Sequence, residues 1–493
     1  MISSACDDEC WKVYAVPFTN EVHIYCAHLS CSSSLTTTLW SVQGMGRIRK
    51  SLLLIVLYRV LSIVSAGREQ DKWEVKSLPG WHRPLPSRQY SGFVDANENG
   101  SLQMHFWFVE SENDPNNDPL LLWFNGGPGA SSLYGLLVEL GPFRLNDLSL
   151  KGPEYAKTKV PQLIYNPSAW SKSANILALS IPVPVGYSYC TPPGPSSQGN
   201  DCGSWDDDST AATTYFALKS WLAIFTTFEK NEMFIAGESY AGVYVPMLAQ
   251  QILNDPNAKM NLQGIAVGDA CTPPAVCSSY QWGPWVNIAF LYGKNAFSTK
   301  LMMEINDRCS QEELRTGENM TNACSESVAK IGDEAVGYWI YSFYDDCYYE
   351  NDIRRALSNL QRDMGNLGNS LYHGPPVLKG KGLPYTEVPN GYICGGGGIM
   401  EEWLSLNIVK DALNVPRDAV FFQCDNGEDF TYNLQNPDII SWYKEVLSKD
   451  VLRILGMENL LNQLGFFFLS FFLSFFLSFF LFFFRSFHHS NFI

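Results

Sequence analysis

From residue 73 onward the sequence predicts an α/β fold, a sheet covered on both faces and flanked by helices. Uninterrupted apolar runs of strand length recur at residues 120–124, 176–181, 233–236 and 264–267. A run without polar alternation suits a strand buried on both sides. Segments of helical spacing lie between them. Tyr215, Leu218, Leu222 and Phe225 mark a helix over 209–228, and a second amphipathic helix, 240–252, follows its strand directly. Strand, turn and helix in repetition is the pattern of an α/β architecture. The 493 residues, 46% of them hydrophobic, suffice for one large domain with insertions, or for two domains.

Between about 271 and 398 the rhythm gives way to Gly, Pro, Asn and aromatic residues, read as an inserted cap with helical pieces at 297–307 and 349–364. Helical spacing returns at 400–412 and 441–447, and 451–455 begins another strand. Residues 456–493 form a tail in which 465–484 contain only Gly, Phe, Leu and Ser. That stretch is long enough to span a bilayer as a helix. Its near four-residue period favours a translated nucleotide repeat over a membrane anchor. Membrane contact is expected through these residues or not at all.

Acidic residues outnumber basic ones, 50 to 34, and no Lys/Arg stripe is present to neutralise phosphates, which excludes a nucleic-acid partner. Arg47, Arg49 and Lys50 precede an apolar run, 52–64, that ends in Val64-Ser65-Ala66 before Gly67. This is the order of a secretory signal, assigned to residues 45–66. Met45 is then the natural start, and residues 1–44 are expected to be a gene-model extension. Of the 13 cysteines, Cys6, Cys10, Cys26 and Cys31 fall in that extension, leaving nine for a few disulfides and an odd thiol. Close spacing suggests Cys190 with Cys202, Cys271 with Cys277, and Cys309 with Cys324 as local loops. Asn99-Gly100-Ser101 and Asn319-Met320-Thr321 are acceptor sequons that make Asn99 and Asn319 candidate glycosylation sites.

The chemistry centres on Gly237-Glu238-Ser239-Tyr240-Ala241-Gly242, at the junction of the 233–236 strand and the helix after it. Small residues on both sides of Ser239 permit a sharp turn that lifts its hydroxyl above the sheet. Asn125-Gly126-Gly127-Pro128-Gly129 follows the 120–124 strand, where a glycine-rich loop leaves backbone N–H groups free to receive an oxyanion. Either motif alone is weak, since the first recurs by chance and the second can be a plain tight turn.

Together these segments resemble the serine carboxypeptidase family of the α/β-hydrolase superfamily, including its plant, fungal and lysosomal members. The likeness runs from 73 to 455 through Trp123 to Ser132, Glu139-Leu140-Gly141-Pro142, Pro184-Val185-Gly186-Tyr187-Ser188-Tyr189, and Gly237 to Pro246. It implies an α/β-hydrolase domain over 67–455 with the cap at about 271–398, and Ser239 as nucleophile. The backbone amides of Gly127 and Tyr240 would form the oxyanion hole. Trp123, Asn125, Gly126, Glu139 and Glu238 match positions that recognise a substrate's free C-terminal carboxylate. If the two glutamates are adjacent they cannot both ionise cheaply, so acid pH should favour binding. Ala130 stands where many members carry a cysteine, which removes a disulfide and nothing catalytic.

Such a hydrolase takes its aspartate and histidine after the nucleophile, in that order. Here the resemblance stops at Leu455, so the fold is expected to be truncated at its C-terminal end and the catalytic Asp and His to be absent. His373 lies in the cap, and His488 and His489 close the tail; none has the expected setting. The expected activity is removal of C-terminal residues from peptides and proteins, without metal or cofactor, in a vacuole, a lysosome or the extracellular space. An acyltransferase on the same fold and a noncatalytic secreted carboxylate-binding protein are the alternatives.

Overall fold

The computed structural model describes residues 2–6, 9–18, 21–29, 35–40, 70–271, 284–317, 319–334, 397–422, 430–435 and 437–457. The expected signal peptide, His373, the 349–364 helix, Cys277 and residues 458–493 of the tail, with its two histidines, lie outside them, whereas Gly456 and Met457, expected to begin the tail, complete the last strand, Arg453–Met457. The chain divides into two compact units, Met1–Lys72 with Ala223–Thr226, and Trp73–Leu222 with Thr227–Ile493. The first holds a four-stranded antiparallel sheet, Ile2–Cys6, Glu9–Phe18, Glu21–Leu29 and Leu35–Trp40, paired in sequence order.

The second unit is built on a mixed sheet. Its main strands are β1 (Gln89–Asp95), β2 (Leu102–Val109), β3 (Leu120–Phe124), β4 (Asn175–Leu179), β5 (Met233–Glu238), β6 (Leu262–Gly268) and β7 (Arg453–Met457). They run in the order β1-β2-β4-β3-β5-β6-β7, and the two-residue strand Tyr189–Cys190 adds to β2. From β4 to β7 every pairing is parallel, whereas β2 runs antiparallel to both β1 and β4. Every residue of β3 and β4 is buried, as uninterrupted apolar runs require.

Sequence reasoning did not anticipate the β1–β2 hairpin. Its turn is made by Asn97, whose Oδ1 accepts from Leu102 N at 3.1 Å, and by Gly100 at φ +68°. Alternation along β2 separates two packed faces. Trp107 stacks on Trp403 on one side, with ring centres 6.3 Å apart, and Phe108 meets Trp221 edge to face at 4.9 Å on the other. The helices α1 (Asp207–Ile224) and α2 (Ala241–Asn254) match the two expected helices within a few residues.

Of the expected cap, α3 (Trp285–Gly293), α4 (Thr299–Arg308), α5 (Gln311–Thr316) and α6 (Asn322–Glu334) are described. They enclose a small core of their own around Ile288, Leu301, Ile305, Val328 and Ile331. Cys309–Cys324 closes this core, and Cys190–Cys202 forms a second of the three expected loops. Cys271 is also disulfide-bonded. The 400–412 helix is two, α7 (Gly397–Ser405) and α8 (Asn407–Ala412), and 441–447 is α9 (Ile439–Ser448). Asn99 and Asn319 are both exposed. Among the described residues no helix is long and apolar enough to cross a membrane.

Phe108 is fully buried where the hairpin meets α1. Phe108→Ala should cost about 3–5 kcal/mol, read as a clear fall in the denaturation midpoint monitored by circular dichroism.

Candidate active site

The C-terminal ends of β3, β5 and β6 converge at one edge of the sheet, where the loops after parallel strands leave a crevice. β5 ends at Glu238 and α2 starts at Ala241, so Ser239 must reverse the chain within two residues. It does so at φ +59°, a left-handed conformation that costs a non-glycine residue about 1–3 kcal/mol. The turn is held from both sides: Ser239 N donates to Gly268 O at 3.0 Å, and Cys271 N donates to Ser239 O at 2.9 Å. Ser239 is exposed and Tyr240 buried.

The loop after β3 lies against this turn. A Cβ on Gly126 would overlap Tyr240 N and lie 2.9 Å from Ser239 Cβ, so only glycine fits. Gly127 adopts φ +112°, which places the next segment in a tight reversal. Gly129 N donates to Tyr244 Oη at 3.1 Å, tying the loop to α2.

Next to Ser239 two carboxyl groups share an amide. Asn125 Nδ2 donates to Glu238 Oε1 at 2.8 Å and faces Glu139 Oε2 at 3.5 Å. Its Oδ1 accepts from Trp123 Nε1 at 3.0 Å and from Gly135 N at 2.9 Å. Two donors on one side fix which end of the amide is oxygen, so the NH2 must face the glutamates. A Cβ on Gly135 would overlap Trp123 Nε1. Glu139 ends a wide turn in which Leu140 N donates to Gly135 O at 2.8 Å, five residues back. Asn166 Nδ2 holds the turn through Glu139 O at 3.2 Å and Gly141 O at 2.9 Å.

Glu139 is buried, 4% exposed, and Glu238 is half-buried. Burial, and then the charge of Glu238, push the Glu139 carboxyl well above the usual range. Burial first, with Asp269 adding charge, raises Glu238 to about 7. At acid and neutral pH the pair therefore retains a proton. Sequence reasoning missed Asp269, the residue after β6, whose own carboxyl is raised by burial. An acidic residue at the C-terminal end of a parallel strand was the available signal. It also missed Arg144, whose Nε donates to Glu139 O at 3.2 Å.

The structure thus brings together Trp123, Asn125, Gly126, Glu139, Glu238, Ser239 and Tyr240, with Gly127 adjoining. Among the described residues no histidine hydrogen-bonds Ser239. His105 is buried in β2, linked to Ser91 Oγ at 3.0 Å, and desolvation lowers its ring to about 3. His82 is paired with Gln162 at the surface.

A mixed sheet with a serine on a left-handed strand-to-helix turn defines an α/β-hydrolase fold. The profile described as serine carboxypeptidase matches residues 79–457. Among curated proteins, the lysosomal protective protein of Mus musculus is 34% identical over 422 residues, 83% of this chain and 81% of that protein. Serine carboxypeptidase-like 20 of Arabidopsis thaliana is 31% identical over 331 residues, 65% of this chain and 62% of its own length, so the chain spans less than two thirds of that relative. Kex1(delta)p from Saccharomyces cerevisiae, described as a prohormone-processing carboxypeptidase, shares the fold. Its crystal structure gives a TM-score of 0.51 at 19% identity, over 78% of this chain and 77% of that one. The chain belongs to the serine carboxypeptidase family.

The carboxyl pair makes stability depend on pH. Both groups have a higher pKa folded than unfolded, where Glu lies near 4.3, so their stabilising contribution is complete below that value and is lost as pH rises toward about 7. The wild-type melting temperature, relative to that of the Glu139→Gln/Glu238→Gln variant, should fall between about pH 4.5 and 7 by scanning fluorimetry. Parallel pH profiles would rule the shifted pair out.

Proposed function

We propose that this site hydrolyses the last peptide bond of peptides and proteins. Ser239 Oγ attacks the carbonyl carbon while the amides of Gly127 and Tyr240 donate to the oxyanion. Collapse of the tetrahedral intermediate breaks the C–N bond, releases the C-terminal amino acid and leaves an ester on Ser239 Oγ, which water hydrolyses. The substrate's carboxylate is held by Trp123, Asn125, Gly126, Glu139 and Glu238.

The observation that carries this reading is the pair of carboxyl groups bridged by Asn125 directly beside Ser239. Two ionised glutamates would repel a carboxylate, whereas a protonated pair donates a hydrogen bond to it. Binding is therefore favoured at acid pH and weakens as the pair ionises. Such an optimum suits a vacuole or lysosome, and a secreted chain would also reach the extracellular space.

The mechanism also needs a base to take the Ser239 proton and return it to the leaving amine. A second reading keeps the pocket, which binds peptide carboxylates without turnover, because the sequence offers no histidine in the expected setting after Ser239. One experiment separates the two. The hydrolase should be labelled by a fluorophosphonate, lose the label in Ser239→Ala, and release amino acids from free-acid peptides but not from C-terminal amides. Amide-insensitive cleavage defeats the carboxylate pocket. Binding of free-acid peptides without labelling selects the noncatalytic reading.

A further inference from the structure

Asp207 opens α1, next to Asp206, whose Oδ1 accepts from Ser209 N at 2.8 Å. Its side chain is almost wholly buried, 1% exposed, yet no cation is paired with it in the structure's ion pairs among the described residues. Burying a carboxylate is costly unless hydrogen bonds replace its water. Three neutral donors do so. Tyr240 Oη donates to Oδ1 at 2.7 Å, Tyr432 Oη to the same oxygen at 2.9 Å, and Gln435 N to Oδ2 at 3.0 Å.

Tyr240 is also the residue after the nucleophile. Its ring lies edge to face with Tyr244 at 5.3 Å and with Tyr432 at 5.7 Å. Tyr244 Oη in turn accepts from Gly129 N in the loop after β3. One face of the Tyr240 peptide touches Gly126, and its side chain is anchored on Asp207. The two segments expected to supply oxyanion donors are thus tied to one buried carboxylate, which no part of the carboxypeptidase chemistry above employs.

We propose that Asp207 is a positioning residue: through the hydroxyl of Tyr240, and through Tyr244 packed against that ring, it fixes the Tyr240 amide and the glycine loop in the alignment an oxyanion requires. The substrate never meets Asp207. A tilt of the Tyr240 ring would turn its own N–H, two bonds from the ring-bearing Cβ, away from the oxyanion. The segment around Tyr432 supports the anchor, since Trp205 and Asp206 pair with Tyr432 and Asn433 as a short parallel ladder. Burial raises the phenol pKa of both Tyr240 and Tyr432, with Asp207's charge adding, which keeps both hydroxyls as donors.

The inference rests on the hydrolase reading for its kinetic consequence, but not for its structural one, and the test separates them. Amide hydrogen exchange is measured on the full chain for wild type, Asp207→Asn, Tyr240→Phe and, as a control on α1, Tyr215→Phe, which removes the 2.6 Å bond from Tyr215 Oη, midway along α1, to Asp255, the residue after α2. Asp207→Asn and Tyr240→Phe should speed exchange about tenfold in peptides covering 126–132 and 238–245, and Tyr215→Phe should not. Unchanged exchange in those peptides, in a Tyr240→Phe protein that melts within a few degrees of wild type, overturns the proposal whatever the activity. If Asp207→Asn fails to fold, Tyr240→Phe decides alone, because it removes only the tether.

With a peptide substrate, Tyr240→Phe should lower kcat about tenfold to a hundredfold with KM nearly unchanged, less than the loss of a whole oxyanion donor, about 10²–10³. A raised KM at constant kcat overturns the proposal. A wild type that neither turns over nor reacts with fluorophosphonate counts against the hydrolase reading, and the exchange result then decides the role of Asp207.

Discussion

The close approach of two backbones governs this active-site edge. Gly126, after β3, and Tyr240 N, after β5, come so near that no side chain fits between them. Parallel pairing of β3 with β5 sets the distance, Trp123 lying opposite Ala236 and Phe124 opposite Gly237. From that register follow the exposure of Ser239, the burial of Tyr240, and the arrival of Asn125 beside Glu238. A one-residue slip would reverse which side chains face the site.

The same edge concentrates energetic cost. Ser239 is held at a strained φ, two carboxyl groups are kept close together, and Asp207 is buried with no cation paired to it among the described residues. Each cost is offset locally. Backbone bonds from Cys271 and to Gly268 hold the turn, Asn125 bridges the glutamates, and tyrosine hydroxyls solvate Asp207. Strain and shifted carboxyls gathered at one place are what a preorganised site requires.

How much was readable from sequence varied with the range of the interaction. β3, β4, β5 and β6 were visible because a strand covered on both faces must be apolar throughout. β1 and β2 were not, because their pattern mixes buried polar residues such as Gln89, Ser91 and His105 among aromatics. Asn97 and Gly100 signalled the hairpin turn, but the apolar-run criterion passes over it. The site residues were found through local motifs around glycines, where a positive φ or a close approach leaves its mark on residue type. Asp207 was missed because nothing local distinguishes it from a surface charge, its partners Tyr240, Tyr432 and Gln435 lying on other segments; Asp269 was marked only by its place at a strand end, and Arg144 by nothing in its residue type.

By itself, then, the sequence determined the α/β alternation, the turn at Ser239, the glycine loop and the candidates Glu139 and Glu238, since each is enforced by backbone sterics or burial over a few residues. Tertiary structure decided which end of Asn125 faces the glutamates, that Asp207 underlies Tyr240, and that Asp269 adds its charge to Glu238. Those choices depend on distances between segments far apart in the chain, such as the 113 residues separating Asn125 from Glu238. The register of the sheet sets those distances. The turn at Ser239 needs only its neighbours, whereas the chemistry around it needs the register.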